Sequence, residues 1–371
     1  MRLKITLTQK RNRMSTDHSK NPYRGYIYTL AQTGTEPGGK RAIMLTGTGS
    51  DATNLKALKG RAKRKLITQK MMLGLIDVLD QKNEMIVNGM SEKRKKSFWN
   101  TYHCQNKIYT ANGKLYGRYC KNRFCTLCCS IRKAAIINSY LPFVQTWKEP
   151  YFVTLTVRSV PLYKLKAVIR SVLKGINNII AKYKKRNQRG KGIKLMGVRS
   201  LECNFNARKK TYNPHFHLIV PNREIAKIII NEWLTTSNPG WNLPVAQKMS
   251  KIMDNQKALI EVVKYGSKIF TDPDLKKKEK SKGNESIYMA ALNNILEAMK
   301  GIRIFERFGF NLSQDRNIQP PGALVVKDYK EWEYDINIYD WATTDGNRLT
   351  TFQPNAKLLE LINEKVNTDL E

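Results

Sequence analysis

The stretch YNPHFHLIVP, residues 212–221, places two of the chain's four histidines one residue apart in an otherwise apolar run. Because alternate side chains of a β-strand point to the same face of a sheet, this pattern predicts that His215 and His217 project side by side. The intervening Phe216, together with Leu218, then points to the opposite face and into a core. Such a strand needs a sheet around it, and the neighbouring sequence supplies the candidates.

The segments that flank this strand predict a mixed fold. GVRSLECNF (197–205) is expected to pair with it in a hairpin with a basic tip at residues 206–212. FVTLTV (152–157) alternates as a strand does, and an amphipathic helix with an apolar stripe over residues 165–183 follows it, ending in a basic loop at 184–194. Because no regular βαβ repeat occurs, we expect an α+β fold with a central antiparallel sheet and flanking helices.

The remaining segments complete this outline. Helices are predicted over residues 223–234 and 256–270, and a strand over residues 243–253. Residues 31–54 are rich in Gly, Thr and Ser and are typical of a loop or disorder, whereas residues 55–79 predict a basic helix.

The chain divides into four predicted parts. Residues 1–95 form a basic, partly disordered N-terminal region, and residues 96–145 form a Cys-rich zinc-binding segment. Residues 146–312 form the domain that carries the histidine strand, and residues 313–371 form an acidic C-terminal extension.

The formal net charge of +36 indicates the class of partner. So large a charge repels itself unless a polyanion is bound. No stretch reaches the roughly 18 apolar residues of a membrane span, and no basic helix has a Trp/Phe face, so nucleic acid is favoured over a membrane. The start of the chain lacks the apolar centre of a signal peptide, which indicates a cytoplasmic protein. Residues 327–371 carry five Lys or Arg and ten Asp or Glu, so this end is not expected to bind DNA.

The histidine pair is a candidate metal site. Two neutral imidazoles at this spacing can bind one divalent ion, and Glu202 on the preceding strand of the hairpin is predicted to face them as a third ligand. The alternative is a pair of half-buried polar residues on a sheet. The position of His215 and His217 within an apolar strand favours the metal site, although the donor set leaves Mg²⁺, Mn²⁺ and Zn²⁺ open.

A second set of polar side chains lies on the predicted helix of residues 256–270. Glu261, Tyr265 and Lys268 share one face at i, i+4 and i+7, opposite an apolar face. Taken alone, this pattern is typical of an ordinary amphipathic helix with a solvated Glu–Lys face. Beside a metal site in a chain that binds nucleic acid, the tyrosine hydroxyl becomes a candidate nucleophile on a phosphodiester, with the lysine stabilising negative charge and the glutamate acting as general base.

These residues fall in three motifs that resemble those of the HUH endonucleases, named for His-hydrophobic-His. The motifs are FVTLTV (152–157), NPHFHLIV (213–220) and EVVKYGSK (261–268), in the order found in that family. They look most like the single-tyrosine Rep proteins that initiate rolling-circle replication of small bacterial plasmids. The resemblance covers about residues 100–310 and implies that residues 146–312 are an HUH endonuclease domain.

The resemblance implies a role for each matched residue. His215 and His217 hold a divalent ion, Mg²⁺ or Mn²⁺, Tyr265 is the nicking nucleophile, Lys268 supports it, and Glu261 is a base at termination. The implied substrate is plasmid origin DNA, single-stranded or extruded as a hairpin. The implied products are a 5′-phosphotyrosine link and a free 3′-OH, with the host helicase and polymerase as further partners.

Other functions share some of these features. HUH-type single-strand transposases have the same metal motif, but some of them use two tyrosines, and here Ile269 occupies the position four residues beyond Tyr265. A conjugative relaxase usually carries its tyrosine upstream of the histidine pair. A non-catalytic zinc-ribbon nucleic-acid-binding protein would lose no activity after Tyr265→Phe.

Five of the six cysteines lie within 26 residues, which in a cytosolic chain indicates a metal site. The spacing C-x15-C-x4-C-x2-C predicts a closed structural Zn²⁺ site made by Cys104, Cys120, Cys125 and Cys128. His103 and Cys129 are reserve ligands, and the alternative is a set of reduced core cysteines. Four interleaved basic residues are expected to contact DNA phosphates, namely Lys121, Arg123, Arg132 and Lys133.

Overall fold

A computed structural model describes residues 30–35, 41–46, 49–83, 90–236, 241–264, 285–312, 324–326, 328–356 and 358–359. Within these residues the fold is α+β and all the strand pairs are antiparallel, as predicted. Two predicted site residues, Tyr265 and Lys268, lie outside the described residues. None of the helices in the described parts has the length and apolar character needed to cross a membrane.

The described elements are numbered along the chain. The helices are α1 (Leu55–Asn83), α2 (Met90–Tyr102), α3 (Thr126–Val144), α4 (Leu162–Gln188), α5 (Arg223–Thr236), α6 (Asn255–Lys264) and α7 (Glu285–Ala298). The strands are β1 (Leu30–Thr35), β2 (Arg41–Thr46), β3 (Ser50–Asp51), β4 (Lys107–Ala111), β5 (Lys114–Gly117), β6 (Tyr151–Thr156), β7 (Gly197–Asn206), β8 (Thr211–Val220), β9 (Lys248–Lys251), β10 (Phe305–Phe308), β11 (Leu324–Val326), β12 (Lys330–Asp335) and β13 (Asp340–Ala342).

The central sheet has the strand order β10-β7-β8-β6-β9. Strands β7 and β8 form the predicted hairpin, in which Glu202 lies opposite His215 and Ser200 lies opposite His217. On the other side of β8, Thr154 of β6 lies opposite His217. The histidine strand is therefore the middle strand of five, with partners on both sides that fix its register.

The two faces of this sheet are covered by different helices. Val153, Phe216 and Leu218 belong to the main apolar core, which packs against α4, α5 and α7. The other face carries both histidines, and there α3 and α6 pack over Val198 and Ile219. The alternation predicted for the histidine strand therefore separates the core from the site.

A second sheet, in the order β13-β12-β4-β5-β3, is built from distant parts of the chain. Strand β12 from the acidic end pairs with β4 from the Cys-rich segment. Trp332 and Trp341 of this end are buried beside Leu58 of α1 and Ile108 of β4. The indole Nε1–H of Trp341 donates to the Gln105 carbonyl at 2.7 Å, so the acidic end is packed into the fold.

A third sheet corrects one prediction. Residues 31–54 were expected to form a loop or disorder, but they contribute β1, β2 and β3. In the order β1-β2-β11, Leu45 of β2 lies opposite Leu324 and Ile43 lies opposite Val326. The Gly- and Thr-rich composition did not indicate this hairpin, whose partner strand β11 lies far away in the sequence, with Leu324 paired to Leu45.

Two boundaries also differ from the predictions. Helix α4 continues to Gln188, into the stretch expected as a basic loop, because Lys and Arg are good helix formers and suit the C-terminal end of the helix dipole. Gly190, with φ +69°, follows its end. Of the strand predicted over residues 243–253, only β9 forms, and it pairs with β6. The earlier residues do not join the sheet because Pro244 begins a short 3₁₀ turn.

Candidate metal centres and active site

Strands β7 and β8 bring three candidate metal ligands together. The Oε2 atom of Glu202 lies 3.2 Å from Nε2 of His215 and 3.3 Å from Nε2 of His217. All three potential ligand atoms lie within 4.8 Å of one another. The three residues are only 7%, 6% and 8% exposed, respectively, so the donor atoms meet in a sheltered spot on the sheet face.

The other ring nitrogens of the histidines orient the imidazoles. Nδ1 of His215 lies 2.9 Å from the carbonyl oxygen of Asn213. A carbonyl can only accept, so Nδ1 carries the proton and Nε2 keeps its lone pair. Nδ1 of His217 lies 3.2 Å from the hydroxyl of Thr154, which can accept a hydrogen bond from it in the same way. Hydrogen bonds of this kind commonly hold the rings of metal-binding histidines.

A further network of hydrogen bonds lies beside the histidine pair, where β6 ends at Thr156. The sequence patterns do not indicate it. The Thr156 hydroxyl donates to Oδ1 of Asn213 at 3.2 Å, and the Asn213 amide donates to the Val157 carbonyl at 2.6 Å. The side chain of Gln247 accepts from the Thr156 N–H at 2.8 Å and donates to the Thr156 carbonyl at 3.2 Å. The alternation of FVTLTV could have pointed to Thr154 and Thr156, but nothing in the local sequence indicates Gln247.

The donor set fits a divalent cation. Two imidazoles with available Nε2 lone pairs and one carboxylate are ligands that Mn²⁺ and Zn²⁺ accept well and that Mg²⁺ accepts less readily. A buried carboxylate beside two imidazoles also supplies negative charge where a cation would sit. Glu202, His215 and His217 could therefore hold a metal ion, and their geometry leaves its identity open.

Helix α6 lies on the histidine face of the sheet. Leu259, Val262 and Val263 are buried against Val198 and Ile219. Ile219 lies two positions beyond His217 on β8, and Val198 lies opposite it on β7. This packing is the apolar face predicted for the helix.

The structure describes only part of the predicted tyrosine set. Glu261 is partly buried on α6, and the described helix ends at Lys264, the residue bonded to Tyr265. Tyr265 and Lys268 lie outside the described residues, so their roles stay predictions.

The four predicted cysteines also meet. The Sγ–Sγ distances are 3.8 Å from Cys104 to Cys128 and 3.6 Å from Cys120 to Cys128, and all four sulfurs lie within 4.8 Å of one another. Tetrahedral Zn²⁺ with Zn–S bonds of about 2.3 Å requires sulfurs about 3.8 Å apart. The backbone N–H of Cys128 donates to Sγ of Cys125 at 3.5 Å. This cluster could hold one structural metal ion.

The reserve ligands lie outside the cluster. The Cys129 thiol donates to the Arg123 carbonyl at 2.8 Å, and burial raises its pKa to about 12. Nδ1 of His103 instead contacts the amide of Asn106 at 3.0 Å.

Two of the basic residues expected to contact phosphates have structural roles. The Arg123 guanidinium donates to the Met299 and Ile302 carbonyls, at 3.3 and 2.9 Å. The Arg132 guanidinium donates to the Lys121 carbonyl at 3.0 Å. The Arg123 contacts tie the Cys-rich segment to the residues that follow α7, and the Arg132 contact lies within the segment. A charge pattern could not reveal these roles.

A buried lysine beside the cysteines was not anticipated. Lys65 of α1 donates to the carbonyls of Tyr102 and Cys104, at 2.7 and 2.9 Å, and to the side chain of Asn106 at 2.5 Å. Burial lowers its pKa to about 8, an effect that the neighbouring cysteines oppose. The ammonium of Lys65 therefore lies beside the cysteine cluster, which carries several negative charges when the thiols are deprotonated.

Comparison with known proteins places the chain in a family. Residues 113–225, which include Glu202 and both histidines but end before α6, match a family described as "Replication protein". A Staphylococcus aureus protein named "Protein rep" is 34% identical over 176 residues, which are 44% of this chain and 72% of that protein. A Bacillus sp "Protein rep" is 33% identical over 121 residues, 31% of this chain and 38% of that protein.

Another relative, a "Protein rep" from Bacillus amyloliquefaciens, is 32% identical over 118 residues, 30% of this chain and 33% of that protein. The match thus spans most of the Staphylococcus relative but only about a third of each Bacillus one. No solved structure matches the chain. From the extent of the Staphylococcus match, the chain belongs to the Rep family of replication proteins, the plasmid replication initiators that its motifs resemble.

Proposed function

We propose that this protein initiates rolling-circle replication by nicking one strand of plasmid origin DNA through metal-dependent transesterification. One observation carries the proposal: two imidazole Nε2 atoms and a carboxylate oxygen converge on the same face of the sheet that helix α6 covers. This face can bring a divalent ion and a residue at the end of α6 to one phosphodiester.

The metal site prepares the phosphate for attack. Glu202, His215 and His217 would hold the ion, with the Nδ1 atoms donating to the Asn213 carbonyl and the Thr154 hydroxyl so that both Nε2 atoms are available. When bound, a divalent ion polarises a phosphoryl oxygen and makes the phosphorus more electrophilic. These residues are buried, so water screens the electrostatic interaction between the ion and the phosphate less than it would at an exposed site.

The nucleophile is Tyr265, bonded to the last described residue of α6. Its Oη attacks the phosphorus, an Oη–P bond forms, and the bond from phosphorus to the 3′-oxygen breaks. The phenol loses its proton and the departing 3′-oxygen gains one, which gives a 5′-phosphotyrosine ester and a 3′-OH primer. The ester retains the energy of the phosphodiester, so a later attack can rejoin the ends without ATP.

The neighbouring charged groups complete the reaction. Lys268 stabilises the phenolate or the phosphate charge, and Glu261 acts as general base for a water or hydroxyl that ends the round. Zn²⁺ at the four cysteines holds the Cys-rich segment together. The excess positive charge attracts origin DNA, while the host helicase and polymerase act on the nicked product.

A covalent-trapping assay tests the proposal. Full-length protein is incubated with 3′-labelled single-stranded oligonucleotides, tiled over the DNA that flanks its own gene, and with Mn²⁺. Because the 5′-phosphate side becomes attached to the protein, we expect a labelled protein band on a denaturing gel for the oligonucleotide that contains the nick site.

The matched variants are Tyr265→Phe and Tyr163→Phe, the second at an exposed tyrosine of α4. We expect the first to abolish the band and the second to keep it. A labelled protein band of wild-type intensity with Tyr265→Phe would show that another residue is the nucleophile. No band with any oligonucleotide would favour a non-catalytic nucleic-acid-binding protein.

A further inference from the structure

The register of the central sheet places a lysine in the same row as His217, one of the three metal-site residues. Across the strands, Phe305 lies opposite Ser200, Ser200 opposite His217, His217 opposite Thr154, and Thr154 opposite Lys248. Residues directly opposite each other on antiparallel strands point to the same face. Lys248 therefore lies on the histidine face, two strands away from His217.

The two ends of this row differ in their surroundings. At the β10 end, the Phe305 ring contacts the Tyr140 ring of α3 at 5.1 Å between centroids, so packed aromatic residues close this side. At the β9 end, Lys248 is exposed on the last strand of the sheet. Among the described residues, α3 and α6 cover the Ile219 end of the face, whereas the row that contains His217 ends at the exposed Lys248 on the β9 side.

The charge of Lys248 is available to a ligand. Among the described residues no carboxylate forms an ion pair with it, although Lys251, three residues along the same strand, pairs with Glu149 at 2.6 Å. Lys251 lies opposite Tyr151, on the other face of the sheet.

The distance suits a neighbouring phosphate. Two strand spacings separate the Cα atoms of His217 and Lys248 by about 10 Å. The four-carbon stem of a lysine carries its ammonium about 6 Å from Cα. The ammonium can thus reach a phosphate adjacent to one held beside the histidines, while remaining too far away to replace a metal ligand.

We propose that Lys248 binds a backbone phosphate next to the scissile one, and so guides the DNA strand across the β9 edge of the sheet. This inference rests on the proposed nicking function. A lysine on an edge strand can also serve only to keep the sheet from pairing with another chain. Lys251 shares that edge position without facing the site, so comparison of the two lysines separates these roles.

The test compares Lys248→Ala, Lys248→Arg and Lys251→Ala in the full-length protein, using an oligonucleotide that the wild-type protein nicks. Loss of one charge-assisted contact predicts about a tenfold higher KM for Lys248→Ala. The kcat should stay within about twofold, because the contact holds substrate and transition state alike. Lys248→Arg should restore the KM, and Lys251→Ala should resemble the wild type. A second measurement is the binding of oligo-dT without divalent ions at several salt concentrations. In a plot of the logarithm of the binding constant against the logarithm of the salt concentration, the slope for Lys248→Ala should be shallower by about 0.7 than that of the wild type.

The outcomes separate this inference from the function on which it rests. If the wild-type protein nicks and Lys248→Ala matches Lys251→Ala in KM and salt slope, the inference is overturned and the nicking function stands. If Lys248→Arg fails to restore the KM and the melting temperature of Lys248→Ala falls below that of the wild type, Lys248 has a structural role. The inference is then overturned as well. If the wild-type protein nicks no DNA, both proposals fail together.

Discussion

At the scale of single residues, the orientation of each imidazole matters as much as its presence. A histidine binds a metal through one nitrogen, and the group that contacts the other nitrogen decides which one is available. Here Asn213 contacts His215 through its backbone carbonyl, a partner that any residue type could supply. Thr154 contacts His217 through its side chain, so this contact can be removed by substitution.

We expect Thr154→Val to weaken metal binding about tenfold, since loss of such supporting hydrogen bonds typically costs 10- to 100-fold in affinity. Titration calorimetry with Mn²⁺ on the full-length protein measures this. Thr211→Val is the matched control, because this threonine lies on β8 itself and its hydroxyl makes no hydrogen bond within the described residues. Equal Mn²⁺ affinity in the two variants would show that the Thr154 hydroxyl does not orient the ring.

At the scale of elements, α6 connects the core to the proposed chemistry. Its apolar side is buried at Leu259, Val262 and Val263, while Glu261 lies on the same helix and Tyr265 follows its last described residue. The apolar contacts of Leu259, Val262 and Val263 with the sheet hold this helix in place. The element that precedes the proposed nucleophile is thus held by apolar contacts with the sheet that carries the candidate metal ligands.

We expect Leu259→Ala to slow nicking more than tenfold at saturating DNA, with a loss of about 2–4 kcal/mol in the free energy of unfolding. Lys257→Ala, at an exposed position of the same helix, serves as the control. Single-turnover nicking and urea unfolding provide the two measurements. Nicking by Leu259→Ala at the control rate would mean that α6 does not position the nucleophile.

At the scale of the whole molecule, the cysteine cluster lies where several distant segments meet. Helix α1 contacts it through Lys65, the Trp341 side chain from the acidic end binds the carbonyl of Gln105 beside it, and Arg123 reaches the residues after α7. A metal ion bound here stabilises all these contacts at once, because the unfolded chain offers no preformed site.

We expect the purified protein to contain one equivalent of zinc at this cluster, and Cys128→Ser to lose it with a destabilisation of several kcal/mol. Cys203→Ser should keep both the zinc and the stability, because Cys203 lies on β7, outside the cluster. Elemental analysis and thermal unfolding measure the two effects. Full zinc content in Cys128→Ser would refute a four-thiolate site.

The sequence alone determined those features that depend on local periodicity. The i, i+2 spacing of His215 and His217, the hairpin with Glu202 and the apolar stripe of α4 follow from the repeat of a strand or helix, so they could be read from neighbouring residues. Tertiary structure alone decided that Thr154 and Lys248 share a row with His217, that β11 completes the β1–β2 hairpin and that the acidic end joins the second sheet. These are pairings between segments far apart in the chain, chosen by the burial and hydrogen bonding of the whole fold, and no local pattern records them.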